Sequence, residues 1–287
     1  MNIALIGTGL MGFPMAEKLL QAEFPTMVFN RSAEKAEPLR AQGAHIAAST
    51  AEAVSSAEVV ILMLSDYLAI RETLFSKEAQ PDWKSRTVIQ MGTILPGESR
   101  RLAEDIGRGG GEYLEAPVLG SIPNVREKNL IVMVGSTQDQ FHQYEKIFRA
   151  FSSDIYWVGE VGKAATVKLA LNQLIVSLTA AFSLSLGMVQ KSGADVDIFM
   201  SILRRSALYA PTFDKKLPRM LERNFSQPNF PVKHMLKDVN LIFSEAKSLG
   251  LNTTLLETAR EILALAIERQ LADADYSALF EAICPGK

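Results

Sequence analysis

Residues 161–191 constrain the fold more than any other stretch. They contain no proline, their only glycines are Gly162 and Gly187, and their apolar residues fall on every side of a helix. The pattern predicts one helix of roughly 45 Å. A helix that is apolar all round is covered by other protein on most of its surface. We therefore expect this helix to run from one domain into another.

Polar residues interrupt the apolar run of this helix, which favours a core or interface helix over a membrane span. They are Asn172, Gln173, Ser177, Thr179, Ser183 and Ser185. Lys168 also lies in this apolar run, and because it precedes Asn172 by four residues the two side chains project from one face of the helix. Because a buried ammonium costs several kcal/mol without compensation, Lys168 needs an explanation. Either its stem lies along apolar surface and its ammonium reaches solvent, or it is an acid positioned in a cleft between two domains.

Length and charge exclude several classes of protein. A chain of 287 residues exceeds the usual size of a single core, so we expect two domains, residues 1–160 and 161–287. A net charge of -2 gives no electrostatic reason to bind nucleic acid or an anionic membrane. The single Cys284 excludes an internal disulfide, and three histidines without ligand spacing argue against a metal site. No signal segment precedes the first strand, so we expect a cytoplasmic protein.

A glycine motif follows the first apolar strand, residues 2–6. It is Gly7-Thr8-Gly9-Leu10-Met11-Gly12, and a helical pattern over 14–21 comes next. In such a motif Gly7 permits the tight turn, Gly9 lets the backbone approach a pyrophosphate, and Gly12 lets helix and strand pack closely. The helix that follows offers unpaired N–H groups and a positive dipole end. The motif predicts a dinucleotide-binding site.

The second strand, residues 26–29, ends in Asn30-Arg31-Ser32. A site selective for NAD places an acidic residue here for the ribose 2′-hydroxyl, and none is present. Arg31 offers a planar cation to a 2′-phosphate, and Asn30 and Ser32 offer neutral donors. Alternatively, Ser32 caps a helix over 33–42 and Arg31 is a solvated turn residue. The two interpretations are compatible, and we expect NADP (NADPH) as cofactor.

Strands and helices alternate through the first half of the chain, which predicts an N-terminal Rossmann domain with a doubly wound, mainly parallel sheet. Further strands are predicted over 59–64, 87–90, 113–116, 130–134 and 155–158, and helices over 50–57, 69–75, 96–108 and 138–151. Ligands bind beyond the carboxyl ends of such strands, where Leu64, Ser65 and Thr93 fall. After 191 the patterns predict helices only, over 195–206, 212–223, 232–249, 254–270 and 276–284, and so an all-α C-terminal domain.

The glycine motif at residues 7–12 and three further motifs resemble those of the β-hydroxyacid dehydrogenase family. This family includes 3-hydroxyisobutyrate dehydrogenase and the glyoxylate/succinic semialdehyde reductases. Residues 115–121, Glu-Ala-Pro-Val-Leu-Gly-Ser, resemble its substrate loop, usually Asp-Ala-Pro-Val-Ser-Gly-Gly. Residues 159–164 together with Lys168 and Asn172 resemble its catalytic motif. Lys237-Asp238 resembles its C-terminal pair, whose lysine closes over the cofactor.

The resemblance implies NADPH-dependent reduction of a small carboxylate-bearing aldehyde or 2-oxo acid to the hydroxy acid. It implies that Lys168 is the proton donor and acceptor and that Asn172 orients the lysine or the substrate oxygen. The substrate carboxylate is expected at Leu119, Gly120 and Ser121.

The sequence departs from the family pattern at four positions. The family usually has a serine at the positions of Leu119 and Gly92, and a glycine at the positions of Ser121 and Ala164. These changes leave room for 3-hydroxyisobutyrate oxidation or for a non-carboxylate acceptor such as an imine. A non-catalytic NADP-binding module is a further alternative, against which Lys168 and Asn172 argue. The apolar helix also predicts a homodimer, or a homotetramer, with a small-molecule substrate as the other partner.

Overall fold

The computed structural model describes residues 1–76, 79 and 81–286. The chain forms two compact units, Met1–Lys168 (unit 1) and Leu169–Lys287 (unit 2). The boundary between them falls inside the long helix, a few residues after the boundary expected at 160.

Unit 1 is built on one sheet, for which the described residues supply nine strands. They are β1 (Ile3–Ile6), β2 (Thr26–Phe29), β3 (His45–Ile46), β4 (Val59–Leu62), β5 (Thr87–Gln90), β6 (Glu112–Glu115), β7 (Val118–Leu119), β8 (Ile131–Gly135) and β9 (Asp154–Gly159). The order is β3-β2-β1-β4-β5-β6-β8-β7, and β9 pairs with β8. The sheet is parallel except where β8 meets β6 and β7. The predicted fold class is confirmed.

Helices cover both faces of this sheet. They are α1 (Gly12–Gln21), α2 (Thr50–Ser55), α3 (Tyr67–Phe75), α4 (Pro96–Arg108), α5 (Ile122–Arg126) and α6 (Gln138–Phe148). Successive side chains of β1 alternate between two core clusters, since Ile3 and Leu5 belong to one and Ala4 and Ile6 to the other. All four are fully buried. A strand buried on both faces reads as a continuous apolar run, which is why the sequence pattern predicted these strands.

The prediction of a single helix over residues 33–42 is wrong. The structure has two 3₁₀ helices there, Ala33–Lys35 and Glu37–Gln42. Pro38 lacks an N–H, and its ring clashes with the carbonyl four residues before it, which disfavours a continuous α-helix here. The expected cap is absent as well, because the Ser32 side chain accepts no hydrogen bond from this segment.

Unit 2 is all helical, as predicted. Its helices are the greater part of α7 (Lys163–Ser192), then α8 (Val196–Arg205), α9 (Pro211–Glu222), α10 (Val232–Ser248), α11 (Thr254–Glu268) and α12 (Leu279–Ile283). The single helix expected over 276–284 is instead a 3₁₀ turn, Tyr276–Ala278, followed by α12. Asp275 starts that turn by accepting the Ser277 N–H at 3.1 Å.

The long helix α7 forms without a break, as predicted. The rest of the chain buries only part of its apolar surface. Its most apolar 18-residue window has a mean hydropathy of 1.6, and 39% of that window is buried. Leu174, Leu184 and Met188 are more than half exposed. By length and composition α7 could cross a membrane. Core helices of soluble proteins have the same length and composition.

A buried ion pair joins α9 to the turn that precedes α12. Lys216 Nζ lies 2.8 and 3.0 Å from the two carboxylate oxygens of Asp275, whose side chain is fully buried. The Ser277 hydroxyl donates to the same carboxylate at 2.7 Å, and the Lys216 ammonium lies 4.1 Å from the Tyr276 ring centre. Burial alone would raise the pKa of Asp275, but Lys216 and the Ser277 donors outweigh it and hold that pKa below its usual value.

Candidate active site

The glycine motif forms the turn between β1 and α1, and two of its glycines are required by packing. Gly7 has φ of +102°, and a Cβ built on it would lie 2.4 Å from the Met63 carbonyl oxygen. A Cβ on Gly12 would lie 1.8 Å from the Gly7 carbonyl oxygen. Either contact is far inside van der Waals distance, so a larger residue at Gly7 or Gly12 would change the shape of the loop.

Gly9 is different, because a Cβ built on it meets no atom within 4 Å. The protein's own packing therefore gives no reason for a glycine here, whereas close approach of a pyrophosphate does. The neighbouring Thr8 donates its N–H to Asn30 Oδ1 at 3.0 Å, and its buried hydroxyl has no hydrogen-bond partner among the described residues. Met11, which precedes α1, provides no side-chain cap. The loop fits the phosphates of a dinucleotide.

A pocket of about 180 Å³ opens beside this loop, at the carboxyl ends of β1 and β2. Six predicted cofactor residues line it: Gly7, Asn30, Arg31, Ser32, Leu64 and Ser65. The structure adds residues that sequence reasoning missed, among them Lys35, Glu72 and Thr73. Sequence reasoning gave Lys35 no role because it lies within the helix predicted over 33–42. Together with the exposed Arg31 it brings a second cation to the pocket, which suits a phosphate group.

A larger pocket, of about 300 Å³, lies at the amino ends of β1 and β2. It is lined by Met1, residues 22–25 and part of α6, and it contains no residue of the four motifs. The carboxyl ends of parallel strands are where ligands of such sheets bind, so the smaller pocket is the candidate site.

Gly92 and Thr93 follow β5. The Gln90 side chain holds Gly92 by accepting its N–H at 2.5 Å and donating to its carbonyl at 3.1 Å. A Cβ on Gly92 would lie 2.7 Å from the Leu64 carbonyl oxygen. The departure from the family's serine at this position therefore has a packing reason in this chain. Thr93 is half-buried beyond it.

The predicted substrate loop has its own internal hydrogen bonds. Leu119 lies in β7 opposite Ile131, and Gly120 has φ of +139°. The N–H and the hydroxyl of Ser121 both donate to Asn124 Oδ1, at 2.9 and 3.0 Å. A substrate carboxylate could use the Ser121 donors only by displacing Asn124.

Lys168 and Asn172 lie one turn apart on α7, as predicted. Lys168 is half-buried and Asn172 is 5% exposed. Asn172 Nδ2 donates to Asp238 Oδ2 at 2.6 Å, and Lys237 Nζ lies 2.6 Å from Asp238 Oδ1. Asp238 thus connects two predicted site residues. Sequence reasoning noted it beside Lys237 but gave it no role.

The contact with Asp238 fixes the direction of the Asn172 amide. A carboxylate only accepts, so the NH₂ group must face Asp238 and the oxygen must point the other way. That oxygen, Oδ1, is buried and has no hydrogen-bond partner among the described residues. A buried acceptor without a donor is costly and rare in a native protein. Asn172 therefore presents an acceptor to a hydroxyl or an ammonium group.

Known proteins match this chain over nearly its whole length. Residues 2–159 match the family described as the NAD-binding domain of 6-phosphogluconate dehydrogenase. Residues 162–283 match a second family, described as NAD-binding of NADP-dependent 3-hydroxyisobutyrate dehydrogenase. Glyoxylate/succinic semialdehyde reductase 1 of Arabidopsis thaliana is 30% identical over 99% of this chain and 98% of its own. The 2-hydroxy-3-oxopropionate reductase of Escherichia coli is 30% identical over 99% and 97%.

The fold has solved counterparts as well. A 3-hydroxyisobutyrate dehydrogenase from Salmonella typhimurium superposes with a TM-score of 0.87 at 22% identity, over 98% of this chain and 99% of its own. The two matched domain families account for nearly the whole chain and assign NADP(H) as its cofactor. The chain belongs to the β-hydroxyacid dehydrogenase family and is an NAD(P)-dependent oxidoreductase that acts on CH–OH groups.

Proposed function

We propose that this enzyme uses NADPH to reduce a small carboxylate-bearing aldehyde or 2-oxo acid, of the glyoxylate or succinic semialdehyde type, to the hydroxy acid. One observation carries the proposal. One turn after Lys168, Asn172 presents a buried amide oxygen for which the described part of the chain offers no donor, while Asp238 holds the amide nitrogen. A reaction that forms a hydroxyl group supplies that donor. The names of the two 30% identical relatives support the substrate class.

The nicotinamide supplies the hydride when the cofactor is bound. Lys168 gives a proton from its ammonium group to the carbonyl oxygen of the substrate, and in the oxidative direction its amine accepts that proton. Asn172 Oδ1 accepts a hydrogen bond from the new hydroxyl or from the ammonium of Lys168, and so orients the proton transfer without adding charge. Lys237, which is ion-paired with Asp238, is assigned to the cofactor on the family resemblance alone.

Preference for NADP over NAD rests on the pocket at the end of β2. Arg31 and Lys35 both line it together with Glu72, and positions 30–32, directly after β2, hold no acidic residue to accept from a ribose 2′-hydroxyl. Two cations beside the glycine loop favour a 2′-phosphate, and the guanidinium of Arg31 can bind it with two parallel hydrogen bonds.

A second candidate is reduction of an acceptor without a carboxylate, such as an imine. Oxidation of a 3-hydroxyisobutyrate-type acid, which keeps the carboxylate, is a separate alternative. Two observations favour a pocket that differs from the family pattern. Leu119 replaces a hydroxyl donor with an apolar side chain, and the donors of Ser121 are already bound to Asn124. A catalytically silent NADP-binding module is a weaker alternative, because it would have no use for the Asn172–Asp238 arrangement.

The assembly we propose is a homodimer, with a homotetramer as the alternative. Residues 169–190 of α7 carry no charged side chain. The exposed apolar residues Leu174, Leu184 and Met188 share one face of this helix, together with the small Ala181. Leu174, Ala181 and Met188 are spaced by seven residues, the repeat by which helices pair along an apolar seam. A second copy of the chain presents the same uncharged seam, which favours a symmetric interface.

The test is consumption of NADPH and NADH by the purified protein with glyoxylate, succinic semialdehyde and uncharged aldehydes. Lys168→Ala should lower kcat by about 10²–10⁴-fold, the usual share of a general acid. Its affinity for NADPH, measured by fluorescence titration, should stay within about twofold, because the glycine loop and the Arg31 pocket are unchanged.

Lys191→Ala is the matched control, since it removes an exposed lysine from the last turn of the same helix. Equal losses in the two variants, or loss of NADPH binding together with turnover in Lys168→Ala, would show a structural lysine. Turnover on uncharged aldehydes alone would replace the carboxylate-bearing substrate by the second candidate.

A further inference from the structure

The helix that carries Lys168 cannot cap its own start. Gly162, the residue before α7, has no side chain and adopts φ of +100°. The first N–H groups of a helix lack partners within the helix, and a side-chain oxygen usually satisfies one or two of them. In α7 this oxygen has to come from elsewhere in the chain.

It comes from Glu115, the last residue of β6 and 47 residues earlier than Gly162. Glu115 Oε1 accepts the N–H of Gly162 at 2.8 Å and that of Ala165 at 3.0 Å. The side chain is 1% exposed. A buried carboxylate at this end of a helix also interacts favourably with the helix dipole.

The second carboxylate oxygen, Oε2, is bound through a short chain of hydroxyls. Ser99 Oγ donates to Glu115 Oε2, and Tyr113 Oη lies 2.8 Å from Ser99 Oγ. Since Ser99 has one hydroxyl proton, Tyr113 must be the donor in the second bond when Glu115 is ionised. Burial raises the pKa of Glu115, and the Ser99 and backbone donors partly oppose that rise. Both carboxylate oxygens of Glu115 therefore accept hydrogen bonds from donors within unit 1.

Gly135 packs directly against the carboxylate. A Cβ built on it would lie 2.5 Å from Glu115 Oε1. The backbone of β8 therefore limits the movement of the Glu115 side chain on that side, while the N–H groups of Gly162 and Ala165 hold Oε1 at the first turn of α7.

We propose that Glu115 is a positioning residue for Lys168, acting by capping α7 from strand β6. The inference rests on the proposed role of Lys168 as proton donor. Lys168 lies three residues beyond Ala165, about 4.5 Å along the helix axis. An error on the order of 1 Å in the position of a reacting group can cost ~10²-fold in rate. Turnover should therefore depend on Glu115, which contacts neither the proton nor the pocket of the glycine loop.

The experiment compares three variants at position 115. Glu115→Met keeps the length and removes both oxygens, so kcat should fall about 10–100-fold. Glu115→Gln keeps one oxygen for Gly162 and Ala165, and its NH₂ can donate to Ser99 once the hydroxyl chain reverses. It should recover kcat to within a few fold of the wild type. Glu115→Asp keeps the charge but shortens the reach, and should fall between the two.

The affinity for NADPH should be unchanged in all three variants. Glu112→Gln is the matched control, because it replaces an exposed carboxylate on the same strand and should change nothing. Hydrogen exchange of residues 160–170 gives the structural readout. Protection at the start of α7 should fall in Glu115→Met and persist in Glu115→Gln.

Each other outcome would overturn the inference. Unchanged kcat in Glu115→Met refutes it, and so does a Gln variant as slow as the Met variant, which would show that charge rather than capping matters. Loss of NADPH affinity and of protection throughout β6 and β8 would show a residue needed only for folding. If Glu115→Met does not fold, the order of kcat in Gln and Asp decides. If the wild type turns over no substrate, the proposed function fails. The capping of α7 by Glu115 is then tested on its own by hydrogen exchange of residues 160–170, and it is refuted if Glu115→Met is as protected there as Glu115→Gln and the wild type.

Discussion

Replacing Lys216 by methionine should destabilise the helical unit more than any single surface change. Methionine keeps most of the volume of the side chain but leaves the Asp275 carboxylate fully buried without its cation. The Ser277 donors remain, at 2.7 and 3.1 Å, so the carboxylate is hydrogen-bonded but uncompensated in charge. Removing one partner of a buried ion pair costs about 3–5 kcal/mol. Lys215→Met, at the exposed neighbouring position, should cost less than about 0.5 kcal/mol.

The assay is urea denaturation followed by far-UV circular dichroism and by tryptophan fluorescence. Both tryptophans, Trp83 and Trp157, lie in unit 1, whereas circular dichroism also follows the helices of unit 2. A loss confined to unit 2 therefore moves the dichroism transition ahead of the fluorescence transition. If the chain unfolds in a single step, both probes move together, and the dependence on pH decides.

The pH dependence separates loss of charge pairing from loss of packing. In the wild type the pKa of Asp275 is depressed, so its stabilising contribution is present at neutral pH and is lost as the pH falls through the folded-state pKa. In Lys216→Met the cation is gone and burial raises the pKa of Asp275. Protonation then relieves the buried charge at higher pH. The stability gap should be widest near neutral pH and narrow on acidification, and a gap that is the same at pH 7 and pH 4 would refute the argument.

Three further outcomes follow from the structure. Gly12→Ala should prevent correct folding of unit 1, seen by circular dichroism, because its Cβ would lie 1.8 Å from a backbone oxygen; Gly9→Ala should fold normally and bind NADPH weakly in fluorescence titration. Arg31→Ala should raise KM for NADPH by about 10–100-fold, the value of a charged hydrogen bond, and leave KM for NADH nearly unchanged; equal effects on both would exclude contact with the 2′-phosphate. Leu184→Glu should shift the protein towards monomer in analytical ultracentrifugation, whereas Leu68→Glu, at an exposed leucine of unit 1, should not.

Sequence reasoning succeeded where the signal is local or strongly periodic. The strand at Thr26–Phe29 and the helix at Pro96–Arg108 have the predicted bounds, because apolar runs and a proline at the first helical turn are local signals. The two-residue strands β3 and β7 and the five-residue helix α5 were missed. Two residues give a single period of a strand pattern, and five residues give little more than one helical turn, so neither repeats often enough to be recognised.

The parts of the site that could not be predicted depend on contacts between distant residues. Lys35 reaches the cofactor pocket because Pro38 replaces a helix by 3₁₀ turns, and the direction of a side chain there has no sequence signal. The cap from Glu115 depends on where β6 ends relative to α7, which the fold determines. The role of Asp238 had a partial signal in its place beside Lys237. Its bond to Asn172 spans 66 residues and could be found only in three dimensions.

The three glycines of the nucleotide loop are under different evolutionary constraints. Gly7 and Gly12 are fixed by the backbone around them, and any descendant that keeps this fold has to keep them. Gly9 has open space around its Cα, so only a ligand selects against a side chain there. In a lineage that gave up its nucleotide, position 9 would drift while positions 7 and 12 stayed glycine. The residue at position 9 is therefore a record of whether a homologue still uses its cofactor.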